Sequence, residues 1–274
     1  MRLLFAESSV RGYGTEQHTA ALAAAMARRG HDVRCLAMAG SPVARWLREA
    51  RVTVVSVPPG RTRGTRLAAA LLRLALTQRP DWMVSGDPRF YRMFLVLRGL
   101  TGARVALFRH WHDAPARRGS RELLSRRADR FILVSRFHLE DYRRQGMSVE
   151  RASMLYNPID TERFRPSPAS RADTRTRLGL EDSDAVVGYV GRVVEAKGVI
   201  TLLDASRRVL AADACARMLW VGDGEDLAAL RARVDCLPEA SRHLFLGWQV
   251  DMAALYPALD VLAVPSIYPE PFGR

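Results

Sequence analysis

Short apolar runs alternate with helix-period segments along most of this chain. The runs at 3–6, 33–38, 52–57, 82–85, 105–108, 131–134 and 153–156 read as strands, and helical repeats such as 16–29 and 67–78 fill gaps between them. This is the rhythm of βαβ units, hence of a parallel sheet covered on both faces. Residues 158–176 break it: Pro, Ser, Arg and Asp dominate, apolar periodicity is lost, and the segment reads as a linker or an irregular crossing. Strand-like runs then return at 185–190, 217–221, 243–246 and 261–264. Between them Val199, Leu202, Leu203, Val209 and Leu210 mark one apolar helix face, and Met252, Leu255, Tyr256 and Leu259 another. The pattern predicts two successive α/β domains with a cleft between the carboxyl edges of two sheets, where ligands of such folds bind.

Composition narrows the class. With 274 residues, 48% hydrophobic and 26% charged, the chain can bury a sizeable core and is expected to be soluble and globular. Cys35, Cys215 and Cys236 are odd in number and far apart, which implies neither a disulfide framework nor a zinc site. The opening apolar run is too short for a signal peptide, and the longest one, 67–76, is interrupted by Arg73 and covers about half a membrane span. These features predict a reduced, cytoplasmic protein. The net charge of +13 would suit nucleic acid or an anionic membrane. However, the arginines are dispersed in pairs such as Arg28-Arg29, Arg117-Arg118 and Arg207-Arg208, with no nucleic-acid-binding signature. A diffuse positive field favouring anionic lipid or anionic substrates is the expectation, with no specific nucleic-acid partner.

Lys197 is the one lysine among 42 basic residues, and it stands in Gly191-Arg192-Val193-Val194-Glu195-Ala196-Lys197-Gly198, where a strand meets a helical pattern. Arg192 offers a planar fork of donors and Lys197 a mobile point charge, a pair suited to the two phosphates of a nucleotide diphosphate, and a helix beginning near Gly198 adds its positive end. Gly12-Tyr13-Gly14 after the first strand is a glycine turn able to face an anion. It lacks the third glycine of a dinucleotide fingerprint, with Gln17 in its place, and no acidic residue ends the second strand. In the terminal run Pro269-Glu270-Pro271-Phe272-Gly273-Arg274, a carboxylate between two prolines can grip sugar hydroxyls while the glycine leaves backbone N–H groups open to phosphate.

These residues together resemble glycosyltransferase family 4, of the GT-B fold. Tyr13-Gly14-Thr15-Glu16-Gln17-His18 is similar to its G-G-x-E-x-H loop with tyrosine for the first glycine, and Ala128-Asp129 through Ser135 to its A-D-x-x-x-x-x-S segment. Asn157-Pro158-Ile159-Asp160 through Phe164 resembles N-G-V-D-x-x-x-F with proline for glycine. Gly191-Arg192 with Lys197-Gly198 is similar to the G-R-x-x-x-x-K-G donor site, Gly222-Asp223-Gly224 to the G-D-G turn, and Glu270-Pro271-Phe272-Gly273 to the start of E-x7-E.

The resemblance implies two Rossmann-like domains, 1–165 on the acceptor side and 166–274 on the nucleotide-sugar side. It implies retaining transfer of a sugar from a nucleotide-diphosphate donor to an acceptor hydroxyl, with no bound metal and no cofactor beyond that donor substrate. Arg192 and Lys197 would neutralise the leaving diphosphate. Glu270 would hold donor-sugar hydroxyls, N–H groups near Phe272 and Gly273 would meet phosphate, Gly14 would let its loop approach the donor, and Gly222 and Gly224 would lie beneath the nucleotide. The family's first-domain histidine falls on His110, with His112 as the other candidate; His18 packs or orients the first loop. The acceptor would be a glycan, lipid or small molecule, as in cell-surface polysaccharide or glycolipid synthesis, with peripheral contact at the inner membrane face. Arg274 falls four residues before the second glutamate of E-x7-E, which implies an incomplete second domain and a chain that turns over little. Two alternatives stay open. A sugar-nucleotide epimerase or hydrolase of the same fold would need a carboxylate cluster, and an anion-binding module would show steep salt dependence without preferring nucleotide sugars.

Overall fold

The computed structural model describes residues 1–12, 14–60, 63–110 and 126–273. They form two compact units, Met1–Pro158 together with a short piece from Glu270, and Ile159–Pro269. In the first unit β1 (Arg2–Glu7), β2 (Asp32–Met38), β3 (Thr53–Val57), β4 (Trp82–Ser85), β5 (Arg104–Arg109), β6 (Arg130–Leu133) and β7 (Ala152–Met154) make one parallel sheet in the order β3-β2-β1-β4-β5-β6-β7. All seven apolar runs predicted in this half are strands, the last of them shorter than its pattern. The order reverses between β1 and β4, so the crevice at the carboxyl ends of these two strands is the switch point of the sheet.

Burial alternates along β1 as the pleat requires. Leu4 and Ala6 join the core under α3 (Arg63–Gln78) and α4 (Pro88–Thr101), while Leu3 and Phe5 join the core under α1 (Gly14–Arg28) and α2 (Pro42–Glu49). Each layer is fastened by local chemistry. Ser41, Asp87 and Ser135 cap the first turns of α2, α4 and α5 (Arg136–Arg144) through their side chains, and proline opens α2 and α4.

The second unit holds β8 (Ala185–Val190), β9 (Ala216–Val221), β10 (His243–Gly247) and β11 (Val261–Ala263), parallel in the order β10-β9-β8-β11. An aromatic cluster lies within its largely aliphatic core. Trp220 on β9 is fully buried between Tyr189, Phe245 and His243, and its Nε1–H donates to His243 Nδ1 at 3.1 Å. Gly188 on β8 makes room for Leu259, whose Cδ1 lies 2.5 Å from where a Cβ would sit. The helices are α6 (Pro168–Arg177), α7 (Val199–Ala212), α8 (Leu227–Asp235) and α9 (Met252–Leu255).

Two expectations are corrected here. The stretch 158–176 is not simply a linker, because α6 occupies 168–177, capped by Ser167 with Pro168 in its first turn. Its buried residues are Thr174 and Arg175, so apolar periodicity could not reveal it. Arg175 is 1% exposed and donates to the carbonyls of Ala258 (3.0 Å), Glu181 (2.6 Å) and Asp184 (2.5 Å) and to Asp260 Oδ2 (3.4 Å). Arg171 meets Asp260 Oδ1 at 2.6 Å and Val186 N–H meets Oδ2 at 2.7 Å. Against the upward push of burial, these donors hold the Asp260 carboxyl below its usual range. The other correction is Val209, assigned to the inner face of α7 but 43% exposed, while Leu210 is buried.

Arg175→Met is therefore expected to take the guanidinium away from the carbonyls of Ala258, Glu181 and Asp184 and from Asp260, of which Glu181 O and Asp260 Oδ2 keep one N–H each, and to cost about 3 kcal/mol or more. Urea unfolding of the variant checks this, and a midpoint equal to the parent's contradicts it.

Candidate functional site

The carboxyl edge of the second sheet is where backbone comes closest to backbone. A Cβ on Gly222 would lie 1.9 Å from Gly191 O, one on Gly224 2.1 Å from Val193 O, and one on Gly198 2.0 Å from Pro265 O. Glycine is the residue that fits at all three positions, and Gly222 and Gly198 also have positive φ, +131° and +71°. Hydrogen bonds close the same contacts. Val193 N–H donates to Asp223 O (2.9 Å), Asp226 N–H to Val193 O (3.2 Å), and the Asp226 carboxylate accepts Glu195 N–H (2.7 Å). Tyr189 Oη donates to Arg192 O at 2.7 Å.

Lys197 ends a 3-10 turn, Glu195–Lys197, and Gly198 follows it directly as the N-cap of α7. No side chain caps that helix, so the free N–H groups and positive dipole of a 14-residue helix start one residue after the ammonium. Lys197 is half-buried and Arg192 exposed. The structure thus gathers Arg192, Lys197, Gly222 and Gly224 at one sheet edge, with donors and positive charge but no carboxylate among these four. Ile267 and Tyr268 both donate their N–H to Ala196 O at 3.2 Å, tying the chain ahead of Glu270 to the lysine's turn.

Glu270, Phe272 and Gly273 group with the first unit. There the hydroxyl of Ser135, whose oxygen also caps α5, donates to Pro271 O, and Phe272 packs on Tyr156 with ring centroids 5.9 Å apart. Ser135 closes the A-D-x-x-x-x-x-S segment.

At the switch point of the first sheet, Gly14 opens α1 and His110 follows β5. The His110 ring lies 4.8 Å edge-on from His18, which is 1% exposed and packs in turn on Phe108. Gly86 lets these parts meet: a Cβ there would be 3.3 Å from Thr15 Cγ2 and 3.7 Å from His110 Cδ2. Tyr91 Oη donates to Phe108 O at 2.5 Å and holds the end of β5. Tyr13 and His112 lie outside the described residues.

Sequence patterning missed a polar cluster in this crevice. Ser8 donates its N–H to Asp87 Oδ2 at 3.0 Å and its hydroxyl to the same oxygen, Asp87 caps α4 through Arg89 N–H at 2.9 Å, and Ser85 Oγ donates to Ala6 O at 2.7 Å. Glu7, at the end of β1 and 3% exposed, accepts Ser9 N–H at 3.0 Å. Burial first, then the charges of Asp87 and Glu16, push its carboxyl up to about 7. Glu7 closes an apolar run, which is why only its position at the strand's carboxyl end could have flagged it.

Against known families, residues 13–163 match the profile of Glycosyltransferase Family 4, and residues 184–274 that of Glycosyl transferases group 1. The chain belongs to Glycosyltransferase Family 4. Among curated members of this kind it is 27% identical over 157 residues to the GDP-mannose-dependent monoacylated alpha-(1-6)-phosphatidylinositol monomannoside mannosyltransferase of Corynebacterium glutamicum, a match covering 57% of this chain and 41% of the relative. It is 36% identical over 140 residues to the D-inositol 3-phosphate glycosyltransferase of Rhodococcus jostii, covering 48% and 30% respectively. These matches span well under half the length of the relatives. The crystal structure of Anabaena HepE in complex with UDP and glucose superposes with TM-score 0.85 at 22% identity, over 100% of this chain and 76% of that one. The two parallel-sheet units are those of the GT-B fold.

Two outcomes test the site's construction. Gly224→Ala, which drives a methyl into Val193 O, is expected to cost about 2 kcal/mol, whereas Gly30→Ala, with φ +81° but open space, costs about 1 kcal/mol. Equal losses in urea unfolding would show that the loop contact is unimportant. For Glu7, the folded state holds a proton that the unfolded state has released between about pH 4.5 and 7, so stability falls as pH rises through that window, by up to about 3 kcal/mol, and is flat above it. Glu7→Gln removes this loss, so the variant is expected to melt above the parent at pH 8 and to converge with it toward pH 4.5.

Proposed function

We propose that this protein is a retaining glycosyltransferase that moves a sugar from a nucleotide-diphosphate donor to an acceptor hydroxyl. The observation that carries this reading is the joint placement of Lys197, Arg192 and the uncapped start of α7 at one glycine-built sheet edge. Negative charge grows on the diphosphate as the sugar–oxygen bond breaks. Cationic groups already fixed in place bind that state more strongly than the ground state, which is what accelerates the step. Helix N–H groups add donors that need no reorganisation.

In this reading Gly222 and Gly224 form the floor beneath the nucleotide, and Glu270 holds hydroxyls of the donor sugar while N–H groups at Phe272 and Gly273 meet phosphate. Gly14 lets the first loop come close to the donor, and His110 serves the reacting centre from the first unit. The names of the relatives support a nucleotide-sugar donor: one is GDP-mannose-dependent, and the HepE structure holds UDP and glucose. They equally support a polyol or glycolipid acceptor, since the relatives act on a phosphatidylinositol mannoside and on inositol 3-phosphate. A role in cell-surface glycoconjugate synthesis at the cytoplasmic membrane face fits the net charge of +13, and among the described residues no helix is long and apolar enough to cross a membrane.

Thermal-shift titration with UDP-, GDP- and ADP-sugars tests the assignment. One base class is expected to raise the melting temperature, by an amount equivalent to about 2.7 kcal/mol at a hundredfold excess over Kd. Lys197→Ala should weaken that ligand at least tenfold, read as the ligand-induced shift from the variant's own ligand-free melt. Equal affinity in parent and variant would remove the diphosphate role from Lys197, and no stabilisation by any nucleotide sugar would overturn the donor assignment.

A further inference from the structure

Two neighbouring helices on one side of the seven-stranded sheet carry no acidic residue. The sequence of α3 is RGTRLAAALLRLALTQ and that of α4 PRFYRMFLVLRGLT, with three arginines in each and neither Asp nor Glu. They pack beside each other and bury their inner faces, Leu71 and Phe94 among them, in a single core.

Their outer faces are apolar as well. Leu72 and Leu76 on α3 and Val96 and Leu100 on α4 are 41% to 68% exposed, and the two residues of each pair stand one helical turn apart. Both helices join strands of one parallel sheet on the same side, so they run in the same direction. Leu72 and Val96 stand tenth and ninth in their helices and Leu76 and Leu100 fourteenth and thirteenth, so the four line up as an aliphatic patch across both. The patch occupies the second half of each helix, away from the carboxyl edge of the sheet, and leaves the crevice there uncovered.

Arginines frame it. Arg92 lies one turn before Val96, Arg73 one turn before Leu76, and Arg66 nearer the start of α3, all exposed. Arg89 and Arg98 are drawn to Asp87 and Asp129, but among the described residues no carboxylate meets Arg66, Arg73 or Arg92.

This combination selects the occupant. A second copy of the same face would set arginines against arginines, and the aromatic anchors that dominate protein contacts are turned inward, since Phe90, Tyr91 and Phe94 are all buried. An anionic lipid surface supplies what both groups lack: phosphates for the guanidinium forks and an acyl boundary for the aliphatic tips, with the arginine stems lying along the patch. The apolar run 67–76 is too short to cross a bilayer but long enough to lie in its interface.

We propose that the outer face of α3 and α4 docks the first unit on an anionic phospholipid bilayer, with Leu72, Leu76, Val96 and Leu100 entering the interface and Arg66, Arg73 and Arg92 holding lipid phosphates. That docking brings the enzyme to a lipid acceptor rests on the transferase reading. The docking itself does not.

Sedimentation of the full chain with vesicles tests it. Binding is expected to phosphatidylcholine vesicles containing about one third phosphatidylglycerol, not to phosphatidylcholine alone, and to weaken as salt screens the charges. Arg73→Gln with Arg92→Gln removes two charges and should weaken binding about 25-fold, at about fivefold per charge. Arg28→Gln with Arg29→Gln, the same charge change at the exposed end of α1, should weaken it less than about threefold, because those residues lie on another face. Leu72→Gln with Val96→Gln, at unchanged charge, should weaken it at least about tenfold. No binding of the parent to the anionic vesicles, equal losses in the two arginine variants, or full binding by Leu72→Gln with Val96→Gln overturns the proposal. So does a parent that dimerises without lipid through a contact that Leu72→Gln with Val96→Gln abolishes. These side chains are exposed, so the variants are expected to melt with the parent and, without vesicles, to show its nucleotide-sugar shift. Vesicle binding by a protein that no nucleotide sugar stabilises would keep the docking face and sink the transferase reading alone.

Discussion

Three loops at the carboxyl edge of the four-stranded sheet touch main chain to main chain, and the arrangement of the second unit follows from that contact. With no side chain at 198, 222 or 224, the carbonyls of Pro265, Gly191 and Val193 occupy the volume a Cβ would need. The turn holding Lys197, the loop after β9 and the segment after β11 become one body, cross-linked by Val193, Asp223 and Asp226. The main-chain N–H groups of this edge are thereby held in place, the form of organisation that the proposed diphosphate role needs.

The seven-stranded sheet meets the same need with different means. Its carboxyl edge is fastened by side chains: Asp87 joins the cap of α4 to the β1 loop, Ser85 ties β4 to β1, and Tyr91 holds the end of β5. Side chains make the fastening here, whereas in the second unit glycines let main chain meet main chain. The acidic residues of the first crevice also stand out against a chain of +13.

Much of this architecture was legible because parallel strands announce themselves. Central runs such as Leu3 to Ala6 and Val105 to Phe108 are apolar on both pleats, and two faces must then be covered, whereas Val261 and Leu262 in the edge strand β11 stay exposed. The Gly191-Arg192 and Lys197-Gly198 spacing was legible for a local reason: a turn between strand and helix brings neighbours in sequence together. What hid were the arrangements that depend on polar residues buried for structural purposes. Helix α6 buries Thr174 and Arg175, and no apolar periodicity can signal a guanidinium satisfied by carbonyls of the following loop and of Ala258. Glu7 and Asp87 lie 80 positions apart in sequence and share Ser8 and Ser9 only after β1 and β4 have paired.

The double hydrogen bond from Ile267 and Tyr268 to Ala196 O acts as a short leash. Two residues of fully extended chain reach about 7 Å, so Glu270 is restricted to a small sphere around Tyr268 whatever its own side chain holds. Lys197 immediately follows the anchoring residue. Because the anchor is made of main-chain atoms, side-chain substitutions at 267 and 268 other than proline leave it in place.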